Sequence, residues 1–211
     1  MLLSEFDFPF DPALVADHPV LPRDQARLLV MERASGARTH RRVGDLPFLL
    51  RPGDLVVVNN TKVMPARVPA QVRSNGKCLD LLFVQDLGHN VWEVLIKGRF
   101  RPGAMIDFPG GASGEIVERS QARTTLLVRG VTTVYDLMHA AGTMPLPPYI
   151  KRDPSPEDQG WYQTVFAQHE GAIAAPTAGL HFTEALLESL TTKGIGLTQV
   201  TLHVGPGTFR S

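Results

Sequence analysis

The chain has 211 residues, 43% hydrophobic and 20% charged, which gives enough apolar material for a buried core and enough length for one or two domains of about 150 residues each. Its 21 Lys and Arg balance 21 Asp and Glu, so no global positive field draws in polyanions, and any nucleic acid partner has to be met by a local patch. The single cysteine, Cys78, argues against a disulfide scaffold, and no apolar run approaches the roughly 18 residues of a membrane span.

The first residues, Met-Leu-Leu-Ser-Glu-Phe-Asp, carry acids where a secretory signal would carry basic residues, so a cytoplasmic protein with no membrane association is expected. Pro9, Pro12, Pro19 and Pro22 punctuate an extended lead-in with one short helix from Pro12 to Asp17. A strand is predicted from Arg27 to Glu32, then a turn at Ala34-Ser-Gly-Ala and a second strand from Thr39 to Val43. A short helix from Val43 to Leu50 leads into Arg51-Pro-Gly-Asp, with proline and glycine at the two central positions of a turn. The β-branched run Leu55-Val-Val-Val-Asn-Asn reads as a buried strand.

Six short strands follow, at 66 to 73, 77 to 86, 91 to 97, 104 to 108, 113 to 119 and 124 to 129, the spacing of a small antiparallel barrel or sandwich. An Asn75-Gly76 pair marks the first hairpin, and Cys78 reads as a small packing residue in the second strand. Beyond Gly130 the pattern predicts a helix from Val134 to Ala141, a Pro-rich stretch from Met144 and an exposed polar loop from Asp153 to Gly160. A strand at 171 to 175, a helix from Glu184 to Lys193 capped by Thr183, and a strand at 197 to 204 then form a βαβ unit. The expected fold is a mixed α/β body of residues 1–65 and 131–211, into which a small antiparallel β-barrel domain of residues 66–130 is inserted.

In a βαβ unit the loops leaving the strands' carboxyl ends share one edge, where ligands bind. Thr177, Gly179 and His181 lie on the first such loop, ahead of a helix N-terminus that favours negative charge. Gly205, Gly207 and Thr208 lie on the second, with His203 just before them. Histidine titrates near neutrality and suits acid/base work, so His181 and His203 are expected to meet on this edge as a candidate pair, against the plainer reading of two ordinary surface or core histidines. No zinc motif, Walker loop or serine-nucleophile elbow is present, and no metal is expected. Asn59-Asn60-Thr-Lys62 through Arg67 sets amides and cations after a strand, suited to base edges and phosphate, or simply a solvated turn. Tyr149, Lys151, Arg152, Trp161 and Tyr162 interleave aromatics with cations, a composition for stacking on unpaired bases that an ordinary surface loop also shows.

Several stretches in order resemble one family: Arg51-Pro-Gly-Asp-Leu, Asn59-Asn-Thr-Lys-Val-Met-Pro-Ala-Arg, Met144-Pro-Leu-Pro-Pro-Tyr-Ile, Tyr162-Gln-Thr-Val-Phe-Ala, Ala174-Ala-Pro-Thr-Ala-Gly-Leu-His-Phe-Thr and Val200-Thr-Leu-His-Val-Gly-Pro-Gly-Thr-Phe-Arg. The chain is similar to the S-adenosylmethionine:tRNA ribosyltransferase-isomerases of queuosine biosynthesis. That resemblance implies transfer and isomerisation of the ribosyl part of S-adenosylmethionine, a cosubstrate, onto an aminomethyl-deazaguanine at the tRNA wobble position. For that chemistry His181 or His203 is expected as the base, with Thr177, Gly179, Gly205, Gly207 and Thr208 around the cosubstrate and Asn60, Lys62, Arg67, Tyr149 and Arg152 toward the tRNA. Lys62 stands where arginine is common, which turns a bidentate phosphate contact into a point charge. Members of the family continue beyond Thr208-Phe-Arg-Ser, which leaves two further expectations: a separate chain supplying that segment, or a non-catalytic tRNA-binding homologue.

Overall fold

The computed structural model describes residues 2–120 and 123–209. The lead-in is extended, with three-residue 3-10 turns at Pro12–Leu14 and Arg23–Gln25. Strands β1 (Arg27–Met31) and β2 (Arg38–Arg42) form an antiparallel hairpin, followed by a 3-10 turn and the one-turn helix α1 (Leu46–Leu49). The segments Arg51-Pro-Gly and Arg101-Pro-Gly fold alike. Gly53 (φ 93°) and Gly103 (φ 84°) occupy the position that demands positive φ, and the fourth residue's N–H bonds the arginine carbonyl at 3.0 and 3.1 Å.

Strands β3 (Leu55–Asn59) and β4 (Thr61–Val63) follow in line. The six strands β5 (Arg67–Val72), β6 (Cys78–Asp86), β7 (Val91–Ile96), β8 (Met105–Asp107), β9 (Ser113–Arg119) and β10 (Thr124–Arg129) then close into an antiparallel barrel in the order β10-β7-β6-β5-β8-β9. Every second side chain points inward on β5 and β7, so a local period of two fixes what is buried. Phe83, Trp92, Ile106, Ile116 and Leu126 fill the interior, with Phe83 and Trp92 edge to face at 5.7 Å. Cys78 departs from its expected role: it opens β6 and is exposed.

Helix α2 (Val134–Ala141) packs under the barrel through Val134, Leu137 and Met138, its N-terminus closed by a reciprocal Thr133–Asp136 capping box. The polar loop after Asp153 is not simply exposed. It contains the short helix α3 (Asp158–Trp161), and Asp158 is fully buried because Arg152 meets both carboxylate oxygens, at 2.6 and 2.7 Å.

Strand β11 (His169–Ala172), helix α4 (Glu184–Thr192) and strand β12 (Gly196–Val200) follow. The two strands are not neighbours in one sheet, as a simple βαβ unit requires. Instead β12 pairs in parallel with β3 and β11 in parallel with β4, so the segment 55–63 serves both. Nor is β3 a buried strand: Leu55 and Val57 are 61% and 57% exposed, and all of β12 is exposed. A parallel pair is ordinarily covered on both faces. Among the described residues α4 packs with Val43 and Ile195 through Leu186 and Leu190, leaving Leu55 and Val57 without cover.

Candidate active site

β12 ends at Val200, four residues short of the sequence expectation, because asparagine side chains take over the pairing. Asn59 Nδ2 donates to the Leu202 carbonyl at 2.8 Å, and the Leu202 N–H donates to Asn59 Oδ1 at 3.1 Å, in imitation of a strand partner. Next to it, Asn60 is 5% exposed. Its Nδ2 donates to Gln199 at 3.0 Å, with a longer contact to Gln168 at 3.4 Å, and its Oδ1 accepts from the Thr201 hydroxyl at 2.7 Å. Buried amides persist only when so satisfied.

These contacts place the segment 201–205 across β4 and β11, and the Ile173 N–H bonds the Val204 carbonyl at 3.0 Å. There His203 Nδ1 lies 2.8 Å from Oγ1 of Thr61, a hydroxyl on a residue 1% exposed. The Thr61 hydroxyl also lies 3.5 Å from the His169 carbonyl. In the neutral tautomer that carries its proton on Nδ1, the exposed imidazole donates to Thr61 and keeps a free lone pair on Nε2.

Gly171 explains how the ring comes so close. A Cβ on this residue would lie 2.7 to 2.8 Å from three atoms of the His203 ring, and its φ of 149° is a conformation that side chains disfavour. Beside it Glu170 accepts from Lys62 Nζ at 2.7 Å and contacts His139 Nε2 at 3.1 Å. Burial pushes the Glu170 carboxyl up, but the hydrogen bonds from Lys62 and His139 outweigh it and hold the group below the ordinary glutamate value.

The two candidate histidines stand in different settings. His181 ends a 3-10 turn, Thr177–His181, where its Nδ1 lies 3.2 Å from the Ala178 carbonyl, and no hydrogen bond joins it to His203. Thr177 is exposed on the same turn, and the N-terminus of α4 is already capped by the Thr183 hydroxyl at 3.1 Å from the Leu186 N–H. Gly179 is set by packing, since a Cβ there would meet Phe166 at 2.9 Å and Thr164 at 3.1 Å. At Gly205 and Gly207 a Cβ would meet open space, so internal packing does not call for glycine at either position. Thr208 falls in a 3-10 turn, Pro206–Phe209, and its side chain lies outside the described residues.

The residues expected to face tRNA are largely engaged within the chain. Asn60 and Lys62 belong to the networks above, Arg67 pairs with Asp80 at 2.8 Å, and Arg152 is committed to Asp158 and to the Asp17 carbonyl. Trp161 lies between His18 at 5.6 Å and the Arg152 guanidinium at 5.8 Å, Tyr162 is buried, and Tyr149 remains 49% exposed. Thr61 and Glu170 are the members that sequence reading did not single out. They lie in a mostly polar parallel pairing, Thr61 opposite His169 and Glu170 opposite Lys62, which no local pattern in the sequence announces. Among the described residues no three His, Cys, Asp or Glu side chains gather as a metal site, and no helix is long and apolar enough to cross a membrane.

A family model described as queuosine biosynthesis protein matches residues 3–211. S-adenosylmethionine:tRNA ribosyltransferase-isomerase of Citrifermentans bemidjiense is 43% identical over 99% of this chain and 62% of its own length. The protein of the same name from Anaeromyxobacter dehalogenans is 45% identical over 99% and 62%. A crystal structure of an S-adenosylmethionine tRNA ribosyltransferase from Thermotoga maritima is 28% identical and covers 95% of this chain and 58% of that one, at a TM-score of 0.39, too low to inform the fold. The chain thus spans 62% of the length of the curated relatives it matches, and nothing in these comparisons supports a separate chain supplying the remainder. With residues 3–211 matched, the chain belongs to the queuosine biosynthesis protein family.

Proposed function

We propose that this chain carries the ribosyltransferase-isomerase chemistry named for its relatives, with His203 as the base. The ribosyl part of S-adenosylmethionine passes to the aminomethyl group of a deazaguanine at the tRNA wobble position, giving epoxyqueuosine with loss of adenine and methionine. The sulfonium acidifies the adjacent ribose carbon, so a neutral imidazole suffices to take its proton, and an acid then eases the departure of adenine. The observation that carries this reading is the contact of His203 with buried Thr61 above the side-chain-free face of Gly171. Thr177, Gly179, Gly205, Gly207 and Thr208 shape the cosubstrate pocket in this reading, supported by the open space at Gly205 and Gly207, into which a ligand can approach the backbone. Asn60, Lys62, Arg67, Tyr149 and Arg152 act toward the tRNA chiefly as the frame of its site. The barrel strands between Arg67 and Arg129 support a division into an inserted barrel, 66–130, and a body, 1–65 with 131–211. A tRNA substrate places the work in the cytoplasm.

One other reading is a homologue that binds tRNA without turnover. Incubating this chain with S-adenosylmethionine and tRNA bearing the deazaguanine separates the two. Adenine release supports the first; tRNA binding with neither adenine release nor heat of S-adenosylmethionine binding supports the second.

A further inference from the structure

One rim of the barrel carries an unbalanced charge. Leu81 pairs with Ile96 and Thr124 with Val94 and Arg119, so the start of β6, the end of β7, the end of β9 and the start of β10 share that rim. It presents Lys77, Lys97, Arg119 and Arg123. Opposite stands the segment 146–154, and between the two lies a cleft of about 910 Å³ that Arg67 and Arg152 also line. Against these six cations the lining holds two acids, Asp80 and Asp153, in a chain whose total charge is zero.

Not all six are equally available. Arg67, Arg123 and Arg152 each pair with a carboxylate, from Asp80, Glu118 and Asp158. Among the described residues Lys77 and Lys97 form no ion pair, and Arg119 donates to neutral acceptors, the Thr124 hydroxyl and the Gly98 carbonyl. Arg67 adds a buried Nε with no hydrogen-bond partner. Among the described residues no aromatic ring lines the cleft, so base stacking is not its mode. Charge without stacking suits a phosphodiester backbone. The opposite wall is tied to the candidate active site: Leu146 and Ile150 share an apolar cluster with Val63, Ala172 and Val204.

We propose that this cleft is the track for the RNA backbone, with Lys77, Lys97 and Arg119 neutralising successive phosphates. The inference rests on the tRNA-modifying reading above and adds to it a surface and three residues. Anisotropy of a labelled anticodon stem-loop RNA tests it on the full chain. Lys77→Ala/Lys97→Ala/Arg119→Ala is expected to weaken binding about tenfold or more at low salt and to lower the slope of log affinity against log salt by about 2 to 3. Arg33→Ala/Arg38→Ala/Arg41→Ala on the exposed hairpin removes the same charge and is expected to change affinity less than threefold. Equal losses in both variants, or displacement of the RNA by millimolar inorganic phosphate at constant ionic strength, overturn the proposal. Should the cleft variant not fold, acylation of Lys77 and Lys97 in the wild-type chain decides, since bound RNA must protect both amines and equal labelling with and without RNA refutes the track. Calorimetry with S-adenosylmethionine separates the failures. Cosubstrate binding with RNA indifferent to the cleft removes this proposal alone, whereas neither ligand binding removes both readings.

Discussion

The barrel and the parallel layer beside it differ in how much polar side chain they bury. Within β5 to β10 the buried residues are apolar apart from Thr124 and Thr125, with Phe83, Leu81, Ile106, Ile116 and Leu126 at 0% exposure, and closure leaves no strand edge open. Along 55–63 the buried positions include Asn60 and Thr61, while Leu55 and Val57 face outward. Apolar burial stabilises wherever it occurs, but a buried amide or hydroxyl only holds its place if specific partners are supplied. The contrast therefore separates a unit built to be stable from a layer built to hold polar groups at fixed positions.

The largest effect is expected where the barrel is cut. Phe83→Ala should lower the unfolding free energy by about 3 to 5 kcal/mol, read by urea titration, and a loss below 1 kcal/mol would show that the barrel is not the stabilising unit. Asp158→Ala comes next, at about 3 kcal/mol, because it strands the Arg152 guanidinium, itself 17% exposed. The pH dependence has a definite sign. Hydrogen bonds from Arg152 hold the Asp158 carboxyl below its ordinary value, so the pair's contribution is complete above the unfolded aspartate value of about 4 and is lost as pH falls through the lower folded value. Asp158→Asn should flatten that acid limb of stability; an unchanged limb would assign it to other carboxylates.

Smaller in free energy but decisive for the layer is Gly171→Ala. Its Cβ displaces the His203 ring, and adenine release should fall about tenfold or more, some 1.4 kcal/mol in the barrier. The barrel's urea midpoint should not move with it, and a parallel loss of both would erase the distinction between the two regions. At the low end, Leu55→Thr with Val57→Thr should change stability by less than about 0.5 kcal/mol, since neither side chain is covered.

How far each region could be read from sequence follows from the range of its interactions. All six barrel strands lie within a residue or two of their expected spans, because alternation and turn residues are local signals. The Asn75-Gly76 hairpin, the Thr183 cap and the helix ending at Ala141 are local in the same sense. Pairing of β3 with β12 joins residues some 140 positions apart, and nothing in Leu55-Val-Val-Val states which face another element will cover. A continuous apolar run on its own therefore reads as a buried strand. His203 was visible as a titratable group beside a Gly-Pro-Gly turn, but its partner was not. Thr61 and Gly171 come to it through β4 and β11, and His181 stays on its own turn.

That last difference sets the most direct test. Adenine release from S-adenosylmethionine and substrate tRNA is compared for His203→Gln and His181→Gln, with cosubstrate binding followed by calorimetry. A base held by Thr61 over Gly171 predicts a loss of about a hundredfold or more for His203→Gln with binding retained, and a change below about threefold for His181→Gln. Near-normal turnover in His203→Gln, or the reverse order of the two variants, would contradict the account.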